Sequence, residues 1–438
     1  MGRKEKEAWW LGSDCGQEEH HFVLLDSAGE IRLSRRVAYR RTEVDSLLME
    51  ALEKAGGHPV RMAVEGTRSM GMALVLWAEN LGVEIWQAPG LALNRYREVE
   101  GQPVKTDERD AYLLARMGLV KAKRCRPAMK ATDPELNLYR LGRFRERLVH
   151  ERTRAYNQLR AILVEVCPDY LSTPGMCQPT SATTLAVLSR WPGLEGLERA
   201  KVPSITECVR KASRGRFGEA LARLLRRVAA TIAWPKSLRF IATFEMTHCV
   251  EIIRRINELV AHIEQLMAQE VNTHPRGAAF LSVPGHGLVT TATLLGEWGP
   301  LARVAREAGC ATYGGVTPTS RQSGKGRDRA RRSGNVNKRV LNALYKGALA
   351  SLRVSEIDQA YFQRKRLDYA GHPSPHIAAL LALARQRHKL LYRLFHSGEL
   401  YDPERVKQST RERREHIPSL GATPVGRRPP SVAPKAPL

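Results

Sequence analysis

Two short apolar runs in the first seventy residues each end on a carboxylate. Ala8-Trp9-Trp10-Leu11-Gly12-Ser13 leads to Asp14, and Val60-Arg61-Met62-Ala63-Val64 leads to Glu65. Runs of this length, with large apolar residues and a closing polar group, read as buried strands. Between them lie residues 21–25 and 31–38, separated by the turn residues Asp26-Ser27-Ala28-Gly29, which predicts a hairpin. Residues 44–55 have helical spacing and close at Gly56-Gly57; a second helix is expected near 69–81 and a further strand at 83–87. The order strand, strand, strand, helix, strand, helix, strand restricts this part of the chain to an α/β domain on a mixed sheet.

The remainder reads as helical. Asp107 opens a helix to about residue 117, and residues 133–167 form one long basic helix that Pro168 stops. Residues 172–237 are divided into short pieces by Pro174, Pro179, Pro192, Pro203 and Pro235. Ile252, Ile256, Leu259, Ile263 and Leu266 step by four and three, a heptad seam suited to a helical hairpin or short coiled coil, or to a plain amphipathic helix. From Pro418 the last 21 residues hold six prolines and no acid, the composition of a disordered basic tail. The expected frame is an α/β domain at 8–125, a helical connector at 130–275 with an insertion at 172–237, a mostly helical domain at 278–402, and the tail at 418–438.

Charge narrows the partner. Of 438 residues, 70 are Lys or Arg and 45 are Asp or Glu, a formal charge of +25, so a polyanion is the default ligand. No apolar run is long enough to span a membrane, and no secretory h-region follows the N-terminus, so the expected site of action is the cytosol. The seven cysteines include no Cys-x-x-Cys and the histidines no His-Glu-x-x-His, which argues against a disulfide framework and a zinc hydrolase.

Four carboxylates can meet in the first domain. If the strands ending at Asp14 and Glu65 are neighbours, their acids lie side by side. Asp107 and Asp110, three apart on one helix, share a face, and Thr106 is placed to cap that helix. Unneutralised acids at one point repel, and a divalent cation resolves the conflict; Mg²⁺ prefers such hard oxygen ligands. The plain alternative is that these are solvated strand ends and helix-dipole partners.

The strongest compositional signal is the segment from Arg321 to Arg339. Arg321, Lys325, Arg327, Arg329, Arg331, Arg332, Lys338 and Arg339 supply eight cations against one acid, among three glycines that let backbone approach a phosphate. It is not a P-loop, since no Ser or Thr follows Lys325. A serine here either donates to a phosphate or acts as a nucleophile. Ser323, flanked by Arg321 and Lys325, is the best placed, with Ser320 and Ser333 as rivals. Upstream, Val283-Pro284-Gly285-His286-Gly287 resembles a helix-hairpin-helix turn, whose Gly285 and Gly287 amides would hold a phosphate; the alternative is a tight helix-helix turn.

Together these residues resemble the DEDD transposases of the insertion-sequence one-ten family, the bridge-RNA-guided serine recombinases. The resemblance covers roughly 8–165 and 278–402. It rests on Asp14, Glu65 and Lys105-Thr106-Asp107-x-x-Asp110-Ala111, then on Val-Pro-Gly-x-Gly at 283–287, Tyr313-Gly314-Gly315-Val316-Thr317-Pro318, Ser323-Gly324, Gly334-Asn335 and Leu341-Asn342-Ala343-Leu344. The chain departs from the family's usual pattern at Asp14-Cys15-Gly16, at Glu65-Gly66-Thr67-Arg68, and in the length of 172–237. The resemblance implies an RNase-H-type, RuvC-like first domain whose four acids bind Mg²⁺, and a second domain whose Ser323 forms a phosphoserine link to DNA. It further implies a noncoding guide RNA and homodimers that assemble into tetramers. The rival readings are a metal-only nuclease or junction resolvase and a non-catalytic nucleic-acid-binding assembly factor.

Overall fold

The computed structural model describes residues 7–16, 18–65, 71–88, 90–99, 106–121, 125–127, 132–176, 178, 181–232, 234–299, 307–319, 331–332, 336–406 and 408. The chain forms two compact units, Met1–Leu136 with Trp298–Cys310, and Asn137–Glu297 with the residues from Ala311 onward. The tail at 418–438 lies outside the described residues.

The first unit is built on a mixed sheet. Its elements are β1 (Trp9–Cys15), β2 (Glu19–Leu25), β3 (Ile31–Ala38), α1 (Arg41–Lys54), β4 (Val60–Val64), α2 (Met72–Asn80), β5 (Glu84–Gln87), α3 (Gly90–Val99), α4 (Asp107–Lys121) and β6 (Arg126–Pro127). The strand order is β3-β2-β1-β4-β5-β6. β1, β2 and β3 pair antiparallel, while β4 joins β1, and β5 joins β4, in parallel. The hairpin turn closes because the Asp26 carboxylate accepts from the Ala28 and Glu30 amides and from Arg32. Those contacts hold the Asp26 carboxyl below the usual carboxylate range against the opposing effect of burial.

Alternation along β1 and β4 divides two cores. Leu11, Met62 and Val64 face one cluster with α1 and α2, whereas Trp10 and Ala63 face the other with α4. Gly12 shares the α4 face, and Ala111 and Ala115 press against it. Gly118, farther along α4, lies against Trp10. The helix therefore runs antiparallel to β1, with its N-terminus at the carboxyl ends of β1 and β4.

The second unit is helical. The chain continues as α5 (Asp133–Val166), α6 (Pro168–Ser172), α7 (Ala182–Arg190), α8 (Glu195–Arg199), α9 (Val202–Ala212), α10 (Glu219–Ala229), α11 (Lys236–Thr273), α12 (Gly277–Leu281), α13 (Leu288–Trp298), α14 (Glu307–Tyr313), β7 (Pro318–Thr319), β8 (Arg331–Arg332), α15 (Lys338–Ser351), α16 (Glu356–Asp368) and α17 (Pro375–Ser397). The Glu135 side chain accepts from the Thr132 amide at the start of α5, half of a capping box, and Pro168 ends the helix as expected. α5 and α11 are joined by Arg145–Glu264, Arg152–Asn257 and Asn137–Glu270.

The α11 seam keeps Ile256 and Ile263 of the expected stripe and buries the following residue in place of the other three. Ala242, Met246, Cys249, Ile253, Ile256, Val260, Ile263 and Met267 are buried, while Ile252, Leu259 and Leu266 are half-buried. The buried stripe runs most of the helix, whereas the expected one spans only 252–266. The packed structure buries the longer stripe because it removes more apolar surface from water. Residues 172–237 are a compact subdomain: α6 to α10 share one core with the end of α5 and the start of α11. Among the described residues no helix is long and apolar enough to cross a membrane.

Candidate functional site

Register places the first two acids together. Ser13 of β1 is opposite Val64 of β4 in the parallel pair, so Asp14 and Glu65 follow at adjacent strand ends. Asp14 continues the face occupied by Gly12, toward α4. Glu65 is exposed and its carbonyl accepts from the Gln87 side chain. At the same end, α4 begins with Asp107, capped by Thr106, whose hydroxyl accepts from the Arg109 amide. Asp107 and Glu108 oppose the fall in the His21 pKa, which burial holds below its usual value. His21 is opposite Asp14 in the β1–β2 pair. An imidazole thus lies within the electrostatic reach of the acidic turn, a neighbour that only strand register reveals.

Asp110 is different. It is buried, and Arg97 of α3 clasps it, with Nη2 at 2.6 and 2.8 Å from its two carboxylate oxygens and Nε at 3.0 Å. Its charge is neutralised by a guanidinium rather than shared with the other acids. Nothing in the spacing of residues 97 and 110 announces this pair. Among the described residues, no three Asp, Glu, His or Cys side chains come together closely enough to hold a metal ion. Asp14, Glu65 and Asp107 lie at the same end of the sheet, and their oxygen donors are of the hard type that suits a divalent cation.

The basic segment divides. Ser320, Arg321, Ser323, Lys325, Arg327, Arg329 and Ser333 lie outside the described residues, as do the side chains of Arg331 and Arg332. What brackets them is well defined. β7 and β8 pair antiparallel, Pro318 with Arg332 and Thr319 with Arg331. Beyond the pair, the Asn337 amide donates to the Tyr313 carbonyl at 2.8 Å, and its side-chain amide donates to the Tyr313 hydroxyl and to Glu297. The Asn337 Oδ1 in turn caps α15 by accepting from the Arg339 and Val340 amides. Glu297 is buried and bonded to Arg143 as well. Glu297, Tyr313 and Asn337 therefore clamp the two ends of the basic segment. Sequence reasoning missed Glu297 and Asn337 because their partners lie 40 and 24 residues away.

Two of the expected nucleic-acid contacts have other work. Arg339 is engaged by Glu146 and stands near Glu297, so its charge is already matched; Lys338 beside it is exposed. Gly285 has φ +81° and presses on α15, where a Cβ would lie 2.5 Å from the Gly347 carbonyl oxygen. This turn is tight because two helices meet there. His286 is buried against Gly347, and burial with the nearby Arg387 charge holds its pKa well below the usual value. Gly287 faces open space. Arg387 is itself buried, paired with Asp358 and donating to the Pro284 carbonyl, so it fastens the turn to α16 and α17. A cleft of about 800 Å³, including the solvent at its mouth, opens between α5, α13 and α15, lined by Arg145, His150, Thr290, Thr293, Asn342 and Lys346 among others.

Comparison with known proteins matches two regions of the chain. Residues 11–168 match the sequence model of the DEDD transposase of IS110, described as a transposase, and residues 277–363 match that of the transposase of the IS116/IS110/IS902 family. The chain belongs to the IS110 family of transposases. It is 26% identical to the 43.6 kDa protein of insertion element IS110 of Streptomyces coelicolor, over 90% of this chain and 95% of that one. It is 25% identical to the 42 kDa protein of IS900 of Mycobacterium paratuberculosis, over 90% and 97%, and 24% identical to the 44.8 kDa protein of IS116 of Streptomyces clavuligerus, over 90% and 96%. Membership of this family makes the chain a transposase, an enzyme of DNA, and the DEDD family name suggests use of a divalent metal.

Proposed function

We propose that this transposase cuts and rejoins DNA by serine-dependent phosphoryl transfer, with Ser323 as the nucleophile. The carrying observation is that the strand ends bearing Asp14 and Glu65 and the acidic first turn of α4 lie at the same end of a sheet, in a chain whose two matched regions are those of one transposase family. The strand order β3-β2-β1-β4-β5 and the position of these acids support an RNase-H-like, RuvC-like reading of residues 8–125. Residues 130–275 serve as connector and 278–402 as the serine-bearing domain. Asp14, Glu65 and Asp107 would hold Mg²⁺, with Asp110 able to join them once Arg97 lets go. When bound, the ion supplies charge at the phosphoryl oxygens.

The serine does the covalent work. Its Oγ forms a bond to the phosphorus as the bond to the leaving strand breaks, and the departing oxygen takes the proton that Ser323 loses. Arg321 and Lys325 stabilise the charge on the phosphoryl group. The hydroxyl of a second DNA end reverses the step and frees the serine. The phosphodiester energy is kept in the covalent link, so no nucleotide is consumed. A noncoding RNA from the element's own flank selects donor and target, and dimers that pair into tetramers hold the DNA ends, in the cytosol.

The test is a trapping experiment. Protein, Mg²⁺, RNA from the native element and element-end DNA are incubated, denatured and examined for protein joined to DNA. The expected adduct is present in the wild type and absent in Ser323→Ala and Asp107→Ala. Cleavage without an adduct, surviving Ser323→Ala, would overturn the serine step in favour of a metal-only nuclease. Activity unaltered by Asp14→Ala would reduce the acids to solvated surface.

A further inference from the structure

The subdomain at 172–237 has no part in the chemistry proposed above, yet its surface is unusual for this chain. Between residues 190 and 239 there are twelve Lys and Arg against four Glu. The excess concentrates in the turn joining α9 to α10. From Cys208 to Gly218 the chain has Arg210, Lys211, Arg214 and Arg216 and no acid. All four are exposed.

The turn is rigidly built. Gly215 has φ +84° and donates its amide to the Arg210 carbonyl at 2.8 Å, five residues back, the closure of a helix by a left-handed residue. Arg214 also adopts a left-handed conformation, φ 53°, which costs a non-glycine residue on the order of 1 kcal/mol. The Ser213 hydroxyl accepts from the Phe217 amide at 3.0 Å. The Phe217 ring rests on Gly175, where a Cβ would lie 2.6 Å from it. Beneath, Ile205, Val209, Leu221 and Leu225 belong to the subdomain core.

Neighbouring and other surface cations of this chain are paired with acids in places: Arg223 with Glu219 on α10 itself, Arg255 with Glu258, Lys365 with Asp368. Arg210, Lys211, Arg214 and Arg216 have no acid among the described ion pairs; Arg216 lies over the Phe217 ring. Four like charges held together on a fixed turn repel one another, and an anionic ligand removes that cost. We infer that the α9–α10 turn is a docking surface for the phosphodiester backbone of duplex DNA. Its cations contact successive phosphates without reading bases, and its preformed shape spares the ordering cost that a flexible basic segment incurs. The inference rests on the transposase's handling of nucleic acid and is independent of the serine and of Mg²⁺.

The experiment measures full-length protein binding to a 30-base-pair duplex DNA, and separately to a structured RNA hairpin of equal charge, with EDTA present, across a salt series. The variant replaces Arg210, Lys211, Arg214 and Arg216 by Gln. It is expected to melt as the wild type does, to bind the duplex at least about tenfold more weakly at 0.1 M salt, and to flatten the log–log salt dependence by roughly 3. Loss for the RNA hairpin alone overturns the inference. Unchanged affinity and slope for both overturns the inference. Because the assay excludes divalent metal and needs no cleavage, its failure is distinct from failure of the serine mechanism. Should the quadruple variant melt early, Arg210→Gln with Lys211→Gln, both outside the left-handed turn, gives the same readout at roughly half the slope change.

Discussion

Gly12 of β1 and Ala111 of α4 touch backbone to backbone: a Cβ on Gly12 would lie 1.8 Å from the Ala111 carbonyl oxygen. This contact sets the height of α4 over the sheet and so brings its acidic first turn to the level of Asp14. Gly12→Ala is expected to force the helix outward and to destabilise the protein by about 3 kcal/mol, the upper range for overpacking. Gly142→Ala is the matched control, since nothing lies within 4 Å of the added methyl in the interior of α5. It should be neutral or stabilise by up to about 1 kcal/mol. Urea unfolding of the two variants checks the contrast, and equal midpoints would refute the packing argument.

The Arg97–Asp110 pair is nearly sealed from water, with side-chain exposures of 14% and 2%. Removing one member strands the other, so Arg97→Ala should cost about 3–5 kcal/mol. Asp110→Asn should cost less in the Arg97→Ala background than alone, which a double-mutant cycle measures. The same pair bears on the metal proposal. If Asp110 is a ligand held in reserve, millimolar Mg²⁺ raises the melting temperature of Arg97→Gln more than that of the wild type. An equal rise in both would make the pair purely structural.

Acid should loosen the first unit through His20. The ring is buried beside Phe22 and Tyr39, and burial lowers its pKa from 6.5 to about 4. The unfolded chain therefore binds a proton that the folded chain refuses between those values. The stabilisation is complete above pH 6.5, declines as the pH falls toward 4 and is gone below it, in total about 3 kcal/mol. Hydrogen exchange of the β2 amides at pH 7.5 and 5 reads this locally, which matters because His286 shifts in the same direction in the second unit. His20→Phe should remove most of the local pH dependence; an unaltered dependence would assign it elsewhere.

Asn337 joins two roles, capping α15 and clamping the end of the basic segment to Tyr313 and Glu297. Asn337→Ala should cost about 1 kcal/mol as a lost cap. Its effect on adduct formation should be larger than that loss explains, because the side-chain ties to the Tyr313 hydroxyl and Glu297 are gone and only the backbone bond to Tyr313 is left. Asn337→Asp keeps a capping oxygen but sets a carboxylate against buried Glu297, and should be the less stable of the two. Melting temperature measured beside adduct yield separates the contributions, and proportional losses in both would leave only the cap.

Local order was legible in the residues. Apolar runs closed by Asp14 and Glu65, the Asp26–Gly29 turn, Thr106 before an acidic turn and Pro168 after a long helix each act over a few positions, where propensity and hydrogen-bond geometry decide the outcome. The succession of acids and glycines also carried the family resemblance, which the matches over 11–168 and 277–363 bear out. Pairing across distance needed the folded chain. Arg97 takes Asp110 across 13 residues and Arg143 takes Glu297 across 154, while Glu146 takes Arg339, because a carboxylate as buried as Asp110 or Glu297 needs a counter-charge that only the folded chain brings within reach. The buried face of α11 likewise turned on packing: Ile252 and Ile253 are equally apolar, and only the stripe from Ala242 to Met267 let the whole helix bury one side.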